Sequence, residues 1–179
     1  MSVSLAAVST LPADARSAAL LDPAGIDCAG GDGLSPALLD VLPLAAGSVR
    51  LTNAGQGLRQ YCVLARWAPR VVCEPPTTGR FVDAPIQLTW ERQVVVASPK
   101  GDAGSHPFLL DACDWIRCVH GLPVAVDLNR MAHINSQMVA WLLRLAQHHT
   151  PGRIVVRGAS PAVDTQLRQL RLEHFLSLG

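Results

Sequence analysis

The chain has 179 residues, 49% hydrophobic and 16% charged, with a formal net charge of +1; that suits one medium domain or two small ones with a substantial core. Lysines and arginines are few and scattered, which excludes the concentrated basic face of a nucleic-acid-binding protein, and no apolar run approaches the roughly 20 residues of a membrane span. The five cysteines (Cys28, Cys62, Cys73, Cys113, Cys118) form no CxxC pair and are expected to be reduced thiols of a cytoplasmic protein.

The opening MSVSLAAVSTLPADAR has no basic start, and Asp14 closely follows its short apolar run, so it does not read as a signal peptide. SAALLD (17–22) reads as a strand, AGIDCAGGDG as a loop and LSPALLDVLPLA as a helix with a proline inside it. SVRLTNAG is strand then turn, QGLRQYCVLARWAP is helical, and RVVCEPPTTGRFVDAP begins as a strand. It gives way to a Pro- and Gly-rich linker over 78–85. The stretch CAGGDG (Cys28 to Gly33) lacks both GxGxxG spacing and the Lys-Ser/Thr of a phosphate-binding loop. It is expected to be a flexible turn before a helix.

After the linker, IQLTWERQVVVAS offers two strands joined at Glu91-Arg92-Gln93. Ser105 can cap a helix with Pro107 in its first turn, carrying Phe108, Ala112, Trp115 or Ile116, and Val119 at helical spacing. VAVDL (124–128) is a continuous apolar run, as a buried strand requires. A helix then starts near Ser136. Met138, Leu142 and Leu145 share one face of it, with Val139, Leu143 and Ala146 beside them. His148 and His149 suit the negative end of its dipole, and TPG stops it. RIVVRG is the next strand. Ser160 and Pro161 then open a last helix, as cap and first residue, with Val163, Leu167 and Leu170 on its apolar face. A short HFLSLG tail follows. Alternating strands and helices give an α/β fold, a mixed sheet covered by helices.

The two halves also resemble each other. Leu38-Leu39 can be set against Leu142-Leu143, Val49-Arg50-Leu51 against Ile154-Val155-Val156, and Asn53-Ala54-Gly55 against Gly158-Ala159-Ser160. This predicts a degenerate internal repeat. Residues 1–77 form a shorter first copy lacking the opening hairpin and first helix, and 86–179 the complete second copy.

Metal and nucleophile chemistry find little support. No HxxxH or CxxC spacing is present, and Cys113 and Cys118, five apart, do not share a helical face well. Asp27 beside Cys28 disfavours a thiolate there. Neither catalysis nor a cofactor is expected.

The segment VAVDLNRMAHINSQMVAWLLRLAQ and the closing TPGRIVVRGASPAVDTQLRQLRLEHFLSLG together resemble the STAS family of anti-sigma-factor antagonists, over about 86–179. The resemblance implies a STAS-like sheet-and-helix domain, with the 1–77 half as a degenerate second one. It sets Asn135 on the family's Asp, Ser136 on the following Ser, Gln137 on the hydroxyl residue that partner kinases phosphorylate, and Met138 on the Gly. The usual phosphoacceptor is thus replaced, and Ser136 becomes the candidate acceptor. Asn135 and Ser136 also read as helix caps, and a cap can lie inside an interface. The resemblance implies partner switching, in which the surface around Asn135, Ser136, Gln137 and Met138 captures an anti-sigma factor that is a serine kinase. Trp141 would join that surface as an anchor if it points outward, although core packing is the commoner fate of a lone tryptophan. Two other expectations remain: a brace for the ATPase of a lipid-transport ATP-binding-cassette assembly, and self-assembly into homo-oligomers.

Overall fold

A computed structural model describes residues 3–22, 24–31, 33–67, 70–76, 85–101, 103–149 and 152–179. In the first half, β1 (Val3–Ser4), β2 (Ile26–Asp27), β3 (Val49–Thr52) and β4 (Val71–Cys73) form a parallel sheet in that order. Its connections are α1 (Leu5–Thr10) and α2 (Ala13–Leu20), then α3 (Pro36–Val41) running into a 3-10 turn at Leu42–Leu44, then α4 (Gln56–Leu64). In the second half, β5 (Ile86–Glu91) is antiparallel to β6 (Val94–Pro99); β7 (Val124–Asp127), β8 (Ile154–Arg157) and β9 (Leu176–Leu178) continue from β6 in parallel. The connections are a run of 3-10 turns over residues 103–119, α5 (Ser136–His148) and α6 (Pro161–Gln169). The fold is therefore α/β, one parallel and one mixed sheet covered by helices.

Each parallel series advances strand by strand in one direction, so right-handed crossovers place its connections on one face. The strands alternate accordingly. Val49, Leu51, Ile154 and Val156 are buried, whereas Arg50 and Val155 between them are exposed. A single apolar cluster runs from Leu5 and Val8 in the first half to Leu172 and Leu176 in the second.

Several expectations are corrected. SAALLD lies largely in α2, not in a strand: the segment is alanine-rich, alanine has the best helix propensity, and Asp14 sits in the helix's first turn. The segment after Ser105 is a series of 3-10 turns, not an α-helix. Its carbonyls are drawn to side chains. Leu110 O accepts from Cys113 Sγ, Trp115 O from Cys118 Sγ, and Ala112 O from the indole N–H groups of both Trp115 and Trp141. Two strands were read as loop or tail. β2 has only two residues, and β9 follows a 3-10 turn at Leu172–His174. Of the 78–85 linker, only Pro85 lies within the described residues, and Thr150 and Pro151 of TPG lie outside them.

The halves correspond closely in register. One shift of 105 residues carries β3 onto β8, α4 onto α6 and β4 onto β9. It also carries Asn53 (φ 54°) onto Gly158 (φ 68°) and Arg66 (φ 56°) onto Arg171 (φ 55°). A shift of 100 carries β2 and the cap of α3 onto the end of β7 and the cap of α5. Asp27 and Asp127 play the same part: each Oδ1 accepts a backbone N–H two residues on, at 3.0 Å. Leu38-Leu39 therefore matches Met138-Val139 and not Leu142-Leu143. Among the described residues β5 has no counterpart in the first half; α1 and α2 occupy the place of the 3-10 run.

Contacts between the halves centre on α4. Gln60 is fully buried; its Nε2 donates to Asp111 O at 2.7 Å and its Oε1 accepts from Trp115 N at 2.9 Å. A Cβ on Gly57 would stand 2.8 Å from Asp114 O, so only glycine admits this approach. Leu34 N donates to Cys118 O, and Trp90 Nε1 to Asp40 Oδ1, both at 2.6 Å.

Candidate functional site

The start of α5 is fixed from two sides. Asn135, in extended conformation, is the cap: its Oδ1 accepts from Met138 N at 3.1 Å. Its Nδ2 donates to Gly104 O at 2.8 Å, tying the helix start to the 3-10 turn at Ala103–Ser105. Only an amide supplies both halves of this bridge; Ser would lack the donor reach and Asp the donor itself. The bridge needs a bare backbone opposite, since a Cβ on Gly104 would lie 2.8 Å from Asn135 Oδ1.

Ser136 is not a cap. It is the first residue of α5, exposed, beside backbone N–H groups that have no partner within the helix. Gln137 is half-buried. Met138 and Trp141 are fully buried, and Trp141 donates its indole N–H to Ala112 O at 2.9 Å. Both belong to the core and offer no docking surface, which corrects the reading of them as contact residues. Met138 falls on the helix face that also carries Leu142 and Leu145 inward, and Trp141, three residues on, shares it.

The side chains that do reach the surface here come partly from another element. Ile134, Asn135, Ser136, Val139, Ala140 and Leu143 line one wall of a groove of about 490 Å³, and Gln166, Gln169 and Leu170 of α6 and its end line the other. Ile134 N donates to Gln166 Oε1 at 3.3 Å, holding the walls together at the helix start. Leu170 is 54% exposed at the groove. Val139 and Leu143 sit one turn apart, the second apolar stripe of α5; this stripe was visible in the sequence, whereas the facing wall was not. The groove is mainly apolar, with polar groups at the end that carries Ser136. Such a surface suits an apolar side chain or stripe of another polypeptide.

The other candidates come to little chemistry. Gly30, Gly31 and Gly33 of the CAGGDG loop face open space, and Asp32 lies outside the described residues. All five cysteines are buried thiols, none of them in a disulfide. Cys73 beside Cys62, together with burial, pushes the Cys62 thiol up, and burial pushes Cys113 up, the opposite of nucleophile activation. Among the described residues no three His, Cys, Asp or Glu side chains are placed to hold a metal ion, and no helix is long and apolar enough to cross a membrane. His149 follows α5 as its C-terminal cap and is buried.

No protein-family model, curated protein or solved structure matches the chain.

Proposed function

We propose that this chain is a non-catalytic protein-binding regulator of the anti-sigma-factor-antagonist kind, and that its docking surface is the α5–α6 groove with the exposed start of α5. The observation that carries this reading is the meeting of Ser136, exposed at the first residue of α5, with an apolar groove in the same segment that resembles the STAS family. Val139, Leu143 and Leu170 supply apolar contact, and Ser136 and Gln137 supply polar contact at the rim. Asn135 acts on the surface indirectly, by fixing the helix start.

A phosphate on Ser136 would be welcomed by the free N–H groups and positive end of α5. It would also set about two negative charges beside the groove, against any partner seated there. Ser136 is thus the proposed switch position, and the unmodified chain is the binding form. The partner, on the STAS resemblance, is an anti-sigma factor with serine-kinase activity.

Self-stacking of repeats fits less well. Where α4 buries Gln60 and Leu64 and brings Gly57 against the other half, α6 presents Thr165, Gln169 and Ala162 to solvent. A polar outer face is what ends a repeat array.

The test is affinity capture from the protein's own cells with two baits, the unaltered chain and Leu143→Glu. Recovery of a serine-kinase anti-sigma factor by the first bait and not the second supports the reading. Recovery of a transport ATPase, or equal recovery by both baits, overturns it.

A further inference from the structure

The groove between α5 and α6 has a counterpart in the first half, between α3 and α4. Leu39, Asp40, Tyr61 and Ala65 stand there in place of Val139, Ala140, Gln166 and Leu170. The two differ because β5, the strand without an equivalent, adds Gln87–Trp90 as a further wall. The result is a cleft of about 640 Å³ between the halves, within the range of small-molecule sites and at the kind of junction that hosts them.

Its lining is unusual for this chain. Only 4% of the residues are aromatic, yet the single tyrosine and two of the four tryptophans are here. Tyr61 and Trp67 meet edge to face, 5.1 Å between centroids, and form a buried floor with Leu39 and Leu88. Trp90 is partly exposed, and its indole is pinned by the 2.6 Å bond to Asp40. That bond also engages the one carboxylate in the lining. Two arginines complete it. Arg70 donates from Nη1 to Pro43 O at 2.9 Å, which leaves its other guanidinium donors available. The guanidinium of Arg66, an exposed residue, makes no hydrogen bond or ion pair among the described residues.

We propose that this cleft binds a small planar aromatic anion, its ring against Trp90 and Trp67 and its acid group taken by Arg66 and Arg70. A guanidinium fork matches a planar or tetrahedral acid group with paired N–H donors. A cationic ligand would face two arginines against one engaged aspartate, and a neutral one would leave those donors unused. The indole rings of Trp67 and Trp90, which keep some exposed surface, favour an aromatic body over an aliphatic chain, through offset or edge contacts. This site is separate from the α5–α6 groove and does not depend on the identity of any protein partner.

The test uses 1-anilinonaphthalene-8-sulfonate as the anionic probe and N-phenyl-1-naphthylamine as its uncharged parent, titrated into the full chain. Fluorescence gives affinity, and ¹H–¹⁵N spectra locate the site. The expected result is saturable shifts of the Trp90 and Trp67 indole N–H signals and of the Ala65 and Arg66 amides. The double variant Arg66→Gln/Arg70→Gln should weaken the sulfonate about tenfold or more, with the uncharged probe unaffected. Val139→Ser, in the other groove, should change neither. Shifts confined to Val139, Leu143 and Leu170, no saturable shifts, or equal wild-type affinity for both probes would overturn the proposal; the mapping decides even if the double variant unfolds.

Discussion

Gln60→Met replaces a buried amide with a thioether of similar length and leaves the apolar surroundings filled. The change removes two hydrogen bonds that join the halves, one to Asp111 O and one from Trp115 N. Trp115 N then stays buried without a partner, which costs about 1–3 kcal/mol, and the part-buried Asp111 O loses a bond worth about 0.5–1.5 kcal/mol. The expected loss is therefore about 1.5–4.5 kcal/mol, a large share of the roughly 5–15 kcal/mol that holds a typical domain. Because Met keeps the volume, little of this loss comes from a cavity. Urea unfolding followed by far-ultraviolet circular dichroism measures it, and Tm should fall by about 2–4 °C per kcal/mol in a chain of this size. The control is Thr165→Val, at the matching position of α6. Thr165 is exposed and bonds only Pro161 O in its own helix, so its loss should stay within about 0.5 kcal/mol. A Gln60→Met loss below about 1 kcal/mol, or one equal to that of Thr165→Val, would refute the idea that this amide joins the halves.

Asn135→Ala should cost about 1–2 kcal/mol through the lost cap, with a further loss from Gly104 O, whereas Ser136→Ala should cost no more than about 0.5 kcal/mol; thermal unfolding of both variants checks the order, and a reversal would return the cap to Ser136. The five thiols should resist Ellman's reagent in the native chain and all react in guanidinium, because all five are buried; rapid native labelling of any one contradicts this. Burial, and secondarily the nearby charge of His120, lowers the pKa of His149 from its ordinary 6.5. The unfolded chain therefore takes up that proton first, so stability is full above about pH 6.5 and declines as pH falls below it. Tm measured at pH 7.5 and 5.5 should drop more in the unaltered chain than in His149→Gln, and an equal drop would show that His149 does not titrate abnormally.

The sequence made some elements plain and hid others for physical reasons. α6 was readable because Ser160, Pro161 and the spacing of Val163 and Leu167 all point the same way, and Ser160 does accept from Val163 N at 3.3 Å. β3, β7 and β8 are apolar runs between turn residues. α2 was missed because it buries only Leu20, so its pattern carries no helical stripe. The 103–119 segment has helical spacing, but side-chain donors compete for its carbonyls, some from its own Cys113, Trp115 and Cys118 and others from Trp141 and Gln60, which spacing does not bring near. The candidate site was half legible. Its polar start and the Val139–Leu143 stripe lie in one continuous stretch, while Gln166, Gln169 and Leu170 come from across the sheet connection. Trp141 could not be oriented from spacing, since the acceptor that holds it, Ala112 O, lies in another element. The offset between the halves was misjudged by four residues at α3 because Leu38-Leu39 matches Leu142-Leu143 in identity but Met138-Val139 in place. The caps Ser35 and Asn135, which set the true register, differ in kind.

The docking claim is tested by hydrogen exchange of the chain with and without its captured partner. Slowed exchange in the first turns of α5, from Ser136 through Leu143, and at the end of α6 near Gln166–Leu170 is the expected footprint, and it should vanish with Leu143→Glu. Protection confined to the first half, or to the open faces of the sheets, would contradict a docking surface at the α5–α6 groove.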